Sequence, residues 1–101
     1  MTFASEMDDA MARMMGAMHA PAMTGDPDVD FLAMMIPHHA GAVDMARAVL
    51  RYGRDPTTRQ LAEEIIAGQT IEIEGMQRRL AMLRQPQRAQ EFPALGGTRG
   101  P

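Results

Sequence analysis

The apolar positions of the chain follow helical spacing in three segments, which aspartate, proline and glycine separate from one another. The first predicted helix spans about residues 3–19, and Pro21 and Gly25 mark the loop that follows it. The second spans 26–52 and the third spans 55 to about 84, and each begins with Asp-Pro, where aspartate caps the helix and proline suits its first turn. No segment alternates between apolar and polar residues over a useful length. The pattern therefore predicts an all-α protein.

Short connections between long helices predict antiparallel neighbours, here a helical hairpin with the N-terminal helix packed across it. At 1.5 Å per residue, the third helix would be about 40 Å long, and the shorter first helix cannot cover its apolar stripe. We therefore expect a homodimer that completes a bundle of four or more helices. The helical domain should occupy residues 1–85, and the Gly- and Pro-rich residues 86–101 should form an irregular tail.

Methionine dominates the composition, with 12 residues among 101, whereas cysteine is absent. Leucine packs as well as methionine and defines a core better, so repeated use of methionine indicates that its sulfur is itself required. The absence of cysteine excludes disulfides, thiolate zinc sites and cysteine-held iron–sulfur clusters.

Charge and hydropathy limit the partners and the location that we expect. The net charge of −3 provides no basic surface for nucleic acid, so no nucleic-acid partner is predicted. No run of roughly 18 apolar residues occurs, so no membrane insertion is predicted. Residues 1–9 lack a basic region followed by an apolar one, which is the pattern of a signal peptide. We expect the mature form of an exported protein, periplasmic or extracellular.

One face of the first predicted helix consists almost entirely of thioethers. At 100° per residue, five methionines fall within one arc, and His19 and Met23 follow at its end. The five are Met7, Met11, Met14, Met15 and Met18. An apolar core stripe would have the same spacing, but thioethers are also ligands for soft metal ions.

The second predicted helix carries a histidine pair next to methionines, in the run Met34-Met35-Ile36-Pro37-His38-His39, and Met45 follows. A helical wheel places His38 in the middle of the apolar face and His39 at its edge, one turn from Met35. Pro37 removes a backbone hydrogen bond just before the pair, and such breaks often aim side chains. The pair is interpreted as part of a metal site; the alternative is a core histidine with satisfied hydrogen bonds.

Two polar residues of the third predicted helix, Gln69 and Glu72, fall inside its apolar arc. Polar groups that face a core need hydrogen-bond partners, and the histidines are the candidates. A carboxylate or amide that holds the second nitrogen of a ligating histidine is a common arrangement in metal sites. Met76, one turn beyond Glu72, could add a thioether. The alternative is a polar pair that only fixes helix register.

Neutral thioethers with imidazole suit a soft monovalent cation, so copper(I) is the expected ligand, with silver(I) as its surrogate. The predicted function is non-enzymatic sequestration, delivery or tolerance of this ion, and delivery would involve a partner protein. One alternative is a structural or interaction bundle with a methionine-rich surface. A di-metal oxidase is a weaker alternative, since its Glu-x-x-His motifs are absent.

Three runs carry a resemblance to a known family: Asp28-Val29-Asp30-Phe31, Met35-Ile36-Pro37-His38-His39 and Asp44-Met45-Ala46, followed later by Gln69, Glu72, Ile73 and Met76. Together they make residues 24–83 resemble the domain of unknown function 305 family. The resemblance implies a ferritin-like four-helix bundle, commonly exported, with CopM-like members that bind copper and silver. It also implies His38, His39, Met45 and Met76 as ligands, supported by Gln69 and Glu72.

Overall fold

The computed structural model describes residues 1–85, which form three helices: α1 (Phe3–His19), α2 (Pro27–Tyr52) and α3 (Pro56–Leu83). No strand occurs among these residues, so the all-α helical bundle is confirmed, and the helix bounds agree with the sequence prediction to within one or two residues. Within the same range, no helix is both long and apolar enough to cross a bilayer. The predicted irregular tail, 86–101, lies outside the described residues.

Each helix begins at a side chain that satisfies free backbone N–H groups. Thr2 and Ser5 form a reciprocal capping box at the start of α1, which was not predicted from the sequence. The Asp26 carboxylate accepts from two backbone N–H groups at the start of α2. The Asp55 carboxylate accepts from the backbone N–H and the hydroxyl of Thr58 at the start of α3. These caps explain why the Asp-Pro pairs located two helix starts correctly.

A buried carboxylate holds the connection between α1 and α2. Asp30 accepts hydrogen bonds from the backbone N–H and the hydroxyl of Thr24, at 2.9 and 2.8 Å, and from the backbone N–H of Gly25 at 3.0 Å. These bonds, led by that from the Thr24 backbone, lower the pKa of Asp30 because they favour its ionised form. Gly25 has a φ of +89°, which favours glycine. The loop is thereby fixed against the start of α2.

Helix α2 is the central element, and both other helices pack against it. Early in α1, Glu6 accepts a hydrogen bond from the Arg51 guanidinium at the end of α2. This bond lowers the pKa of Glu6. Later in α1, Arg13 pairs with Asp44, at 3.5 Å. Helix α1 thus runs antiparallel along α2 and is aligned by these two ion pairs, whereas the sequence predicted that it would lie across the hairpin.

Helix α3 runs antiparallel along a different side of α2. The Arg59 guanidinium, early in α3, donates to the backbone carbonyls of Leu50 and Gly53 near the end of α2. At the other end, Leu80 and Leu83 form a buried cluster with Val29. The predicted helical hairpin is confirmed in this arrangement.

The core of the described residues is small. Beyond the cluster of Val29, Leu80 and Leu83, its buried apolar residues are Ala10, Val43, Ala46, Ala48 and Ala62. None of the large side chains in residues 1–85 is completely buried. The helices therefore approach one another closely at small residues, and few large apolar side chains lie deep between them.

The closest such approach occurs at Gly41, where α1 runs along the surface of α2. A Cβ atom at this position would lie 2.5 Å from Sδ and 2.9 Å from Cβ of Met14. The thioether could move, but the Met14 Cβ moves only with the α1 backbone. Gly41→Ala should therefore destabilise the protein by about 1–2 kcal/mol in chemical denaturation, even though alanine favours the helix.

Gly68 provides the matched control for this prediction. It lies inside α3, and a Cβ atom added there would have no neighbouring atom within 4 Å beyond the backbone of its own helix. Gly68→Ala should stabilise the protein by about 0.5–1 kcal/mol, because only helix propensity changes. Equal effects of the two substitutions would contradict the proposed close approach at Gly41.

Candidate metal centre

The two adjacent histidines leave α2 in different directions, because consecutive helical residues differ by about 100°. The side chain of His39 is 14% exposed and faces α3, whereas His38 is exposed. The centroids of the two rings are 6.2 Å apart. The helical wheel had placed His38 at the centre of the apolar face, with His39 at its edge. The structure instead covers the His39 side of the helix and leaves the stripe around His38 open.

The His39 ring is held by a carboxylate from the facing helix. Its Nε2 lies 2.6 Å from Oε1 of Glu72. An ionised carboxylate only accepts hydrogen bonds, so we infer that Nε2 carries the hydrogen and donates it. In the neutral ring this leaves Nδ1 with a free lone pair. The contact thus selects one tautomer and fixes the orientation of the ring.

The other nitrogen of this ring has no hydrogen-bond partner. His39 Nδ1 is buried, and it is the single buried side-chain nitrogen or oxygen left without a hydrogen bond in residues 1–85. Such groups cost free energy unless something satisfies them. A metal ion bound at Nδ1 would do so. The combination of one nitrogen held by a carboxylate and one bare nitrogen also matches the way proteins orient a ligating histidine.

Helical spacing places two methionines one turn from the His39–Glu72 pair, both toward the start of α2. Met35 precedes His39 by one turn of α2, and Met76 follows Glu72 by one turn of α3. Both side chains are half-buried, as is that of Met34. Gln69, also half-buried, makes no hydrogen bond to a histidine in the described residues, so Glu72 is the polar residue of α3 that contacts the pair.

The methionines that share one arc of α1 occupy different environments. Met14 packs against Gly41, and Met7 lines the same groove as Met45 of α2. Met11 and Met15 are exposed, while Met18 is half-buried. His19 and Met23 are exposed at and beyond the end of α1, and within residues 1–85 His19 makes no hydrogen bond or ring contact with the other histidines. The arc thus provides two residues that pack and several thioethers that solvent can reach.

Beside the histidine pair, an open apolar groove of about 400 Å³ lies between α1 and α3, with α2 as its floor. Its lining includes Met7, Ala42, Met45, Val49, Leu61 and Ile65. Since Ala42 and Met45 belong to the same stripe of α2 as His38, the groove continues toward the exposed histidine. This apolar stripe was predicted from the sequence, whereas its exposure was not.

The available donors determine which metal ions would fit. Within residues 1–85, no group of three or more His, Asp and Glu side chains could together hold a metal ion, and the chain has no cysteine. Calcium and magnesium need several oxygen ligands, and di-metal oxidases need several carboxylates. Imidazole with thioethers instead suits copper(I) and silver(I).

Comparison with known proteins places the sequence in a family. A stretch of 49 residues, 48% of the chain, is 41% identical to the uncharacterized protein L153 of Acanthamoeba polyphaga mimivirus. The stretch corresponds to 32% of that relative, so the chain spans well under half the relative's length. The family model for the domain of unknown function DUF305 matches residues 1–80, which include all three helices up to the last turn of α3. The chain therefore belongs to the DUF305 family.

Proposed function

We propose that this protein binds copper(I), for which silver(I) is a surrogate, and that it serves to sequester or deliver the ion in metal tolerance. The observation that carries the proposal is the buried, unpartnered Nδ1 of His39. The Glu72 carboxylate holds the opposite nitrogen, so the lone pair of Nδ1 is oriented before any ion arrives. Leaving Nδ1 buried without a hydrogen-bond partner costs free energy, and a bound ion would remove this cost.

Thioethers complete the proposed coordination. Met35 and Met76 each lie one turn from a member of the His39–Glu72 pair, and both are neutral ligands of the type that soft cations prefer. His38 and Met45 lie on the open stripe of α2, on a different side of the helix from His39, and we propose them as a separate pair of donors there. Met34 lies in the same turn as Met35.

The exposed methionines of α1 are proposed as additional sites of lower affinity. Met11 and Met15 lie one turn apart, and Met18 and His19 follow toward the end of the helix. Exposed thioethers hold an ion more weakly than a pre-oriented site does, so they release it faster. They would pass ions to the His39 centre or to a delivery partner.

We further propose that the protein acts outside the cytoplasm, in the periplasm or the extracellular space. The chain has twelve methionines and no cysteine. Thiolates would be oxidised to disulfides in these compartments, whereas thioethers remain ligands there. No turnover is proposed, because a binding site with a single oriented nitrogen and thioethers needs no reaction to perform this function.

A competition titration tests the proposal. Copper(I) held by a chromophoric chelator should transfer stoichiometrically to the protein, and loss of the chelate colour measures the transfer. Zinc(II) under the same conditions should bind far more weakly, because thioethers are poor ligands for it. If the colour stays unchanged at an excess of protein over a weak chelator, the proposed function is wrong.

A further inference from the structure

The open groove is part of a larger uncovered apolar face. Phe31 of α2 is 59% exposed, Leu61 and Ile65 of α3 are 53% and 42% exposed, and Met11 of α1 is 43% exposed. Leu61 and Ile65 line the groove, Phe31 extends the α2 stripe at one end, and Met11 lies one turn beyond Met7. At about 200 Å² per large side chain, these four leave about 400 Å² of apolar surface in water.

These four side chains supply about half of the area that a standard interface buries on each partner. The half-buried neighbours Met7, Met45 and Val49 add to it. A stable dimer buries about 800 Å² on each partner, and monomeric proteins rarely expose contiguous apolar patches beyond a few hundred Å². The core beneath is too small to compensate, since no large side chain is completely buried in residues 1–85. A partner on this face would bury the apolar side chains that a single copy leaves exposed.

Charge and helix length indicate what that partner is. On α2, the charged residues Asp44 and Arg51 pair with α1, whereas the stripe from Phe31 to Val49 that faces the groove carries no Asp, Glu or Arg. On the part of the face that α2 supplies, two copies of this chain, each with a net charge of −3, can therefore meet without bringing like charges together, and the carboxylate on the α3 stripe, Glu72, is paired with His39. Helices α2 and α3, of 26 and 28 residues, match in length, whereas α1 has only 17. The long helices of two copies would make one four-helix bundle.

We infer that a second copy of this chain covers the groove in a symmetric dimer, in which the same face of each copy contacts the other. Such an interface is self-complementary, and an uncharged apolar stripe meets this requirement. The exposed His38, which lies on the stripe, becomes part of the interface. This inference does not rest on metal binding, because it follows from the apolar surface alone.

The test measures mass in solution without metal. Light scattering at micromolar concentration, with a copper(I) chelator present, should give twice the chain mass of 11.1 kDa. Ile65→Glu should weaken the dimer by at least about 100-fold, because it places an unpaired carboxylate in the interface. Ile71→Glu is the matched control: Ile71 lies on the same helix and is 68% exposed, but it is not among the residues that line the groove. It should remain dimeric.

A concentration series covers the case in which Ile65→Glu fails to fold. The thermal midpoint of the unaltered protein should rise with protein concentration if the folded unit is a dimer. A monomeric mass with a midpoint independent of concentration would overturn the inference. Equal loss of the dimer in Ile65→Glu and Ile71→Glu would also overturn it. Copper(I) transfer to a monomer would leave the proposed function intact.

Discussion

Replacing His39 with alanine should weaken copper(I) binding by at least roughly 100-fold, because it removes the one imidazole whose orientation is fixed before binding. The loss is measured by chelator competition at neutral pH.

Glu72→Gln should give a smaller loss of affinity, about 10- to 100-fold. An amide can donate a hydrogen bond as well as accept one, so it no longer selects the tautomer in which Nδ1 has a free lone pair. His38→Ala should cost less than His39→Ala, because the exposed His38 makes no hydrogen bond within residues 1–85 that orients it.

His19→Ala is the matched control for these variants. His19 is exposed in the last turn of α1 and makes no hydrogen bond or ring contact with the other histidines in the described residues. Its replacement should leave the tightest copper(I) affinity unchanged. Circular dichroism should show full helical content in every variant. Equal losses from His38→Ala, His39→Ala and His19→Ala would contradict a site built around His39.

Replacing Met11, Met15 and Met18 together with leucine should lower the number of silver(I) ions bound per chain by at least one, without loss of the fold. Leucine keeps the apolar volume, so each change should alter the free energy of unfolding by less than about 1.5 kcal/mol. It removes the sulfur, and with it the affinity for soft cations. Titration followed by native mass spectrometry counts the bound ions.

Met82→Leu serves as the control for this triple variant. Met82 is also exposed, but it lies near the end of α3, away from the α1 methionines. The count of bound silver(I) should stay the same. If the triple variant binds as many ions as the unaltered protein, the α1 methionines act only in packing and the proposal for this helix is wrong.

The helix boundaries could be predicted because local signals determine them. Asp26 and Asp55 cap the helices that their Asp-Pro pairs predicted, and Gly25 has the positive φ expected of a loop glycine. The position of α1 could not be predicted in the same way. Ion pairs with α2 and the space beside Gly41 align α1, and both depend on residues that are far apart in the sequence.

The candidate site was harder to predict than the fold, because α2 has apolar residues on more than one of its sides. A helical wheel identifies the arc of α2 with the most apolar residues, which is the stripe of His38, Ala42 and Met45. It therefore predicts that His38 faces the core. Packing of α3 on the adjacent side makes His39 the half-buried histidine instead. The role of Glu72 as a histidine partner was among the sequence hypotheses, and its carboxylate contacts His39; Gln69 has no such contact in the described residues.

A soft ion at Nδ1 of His39 is the central claim, and anomalous diffraction from crystals loaded with copper(I) tests it directly. Data collected on both sides of the copper absorption edge locate the metal without reference to the protein density. We predict a peak at bonding distance from His39 Nδ1 and from at least one thioether sulfur, with Glu72 still bound to Nε2. A fully loaded crystal with copper only at other residues, and with Nδ1 bare, would contradict this claim.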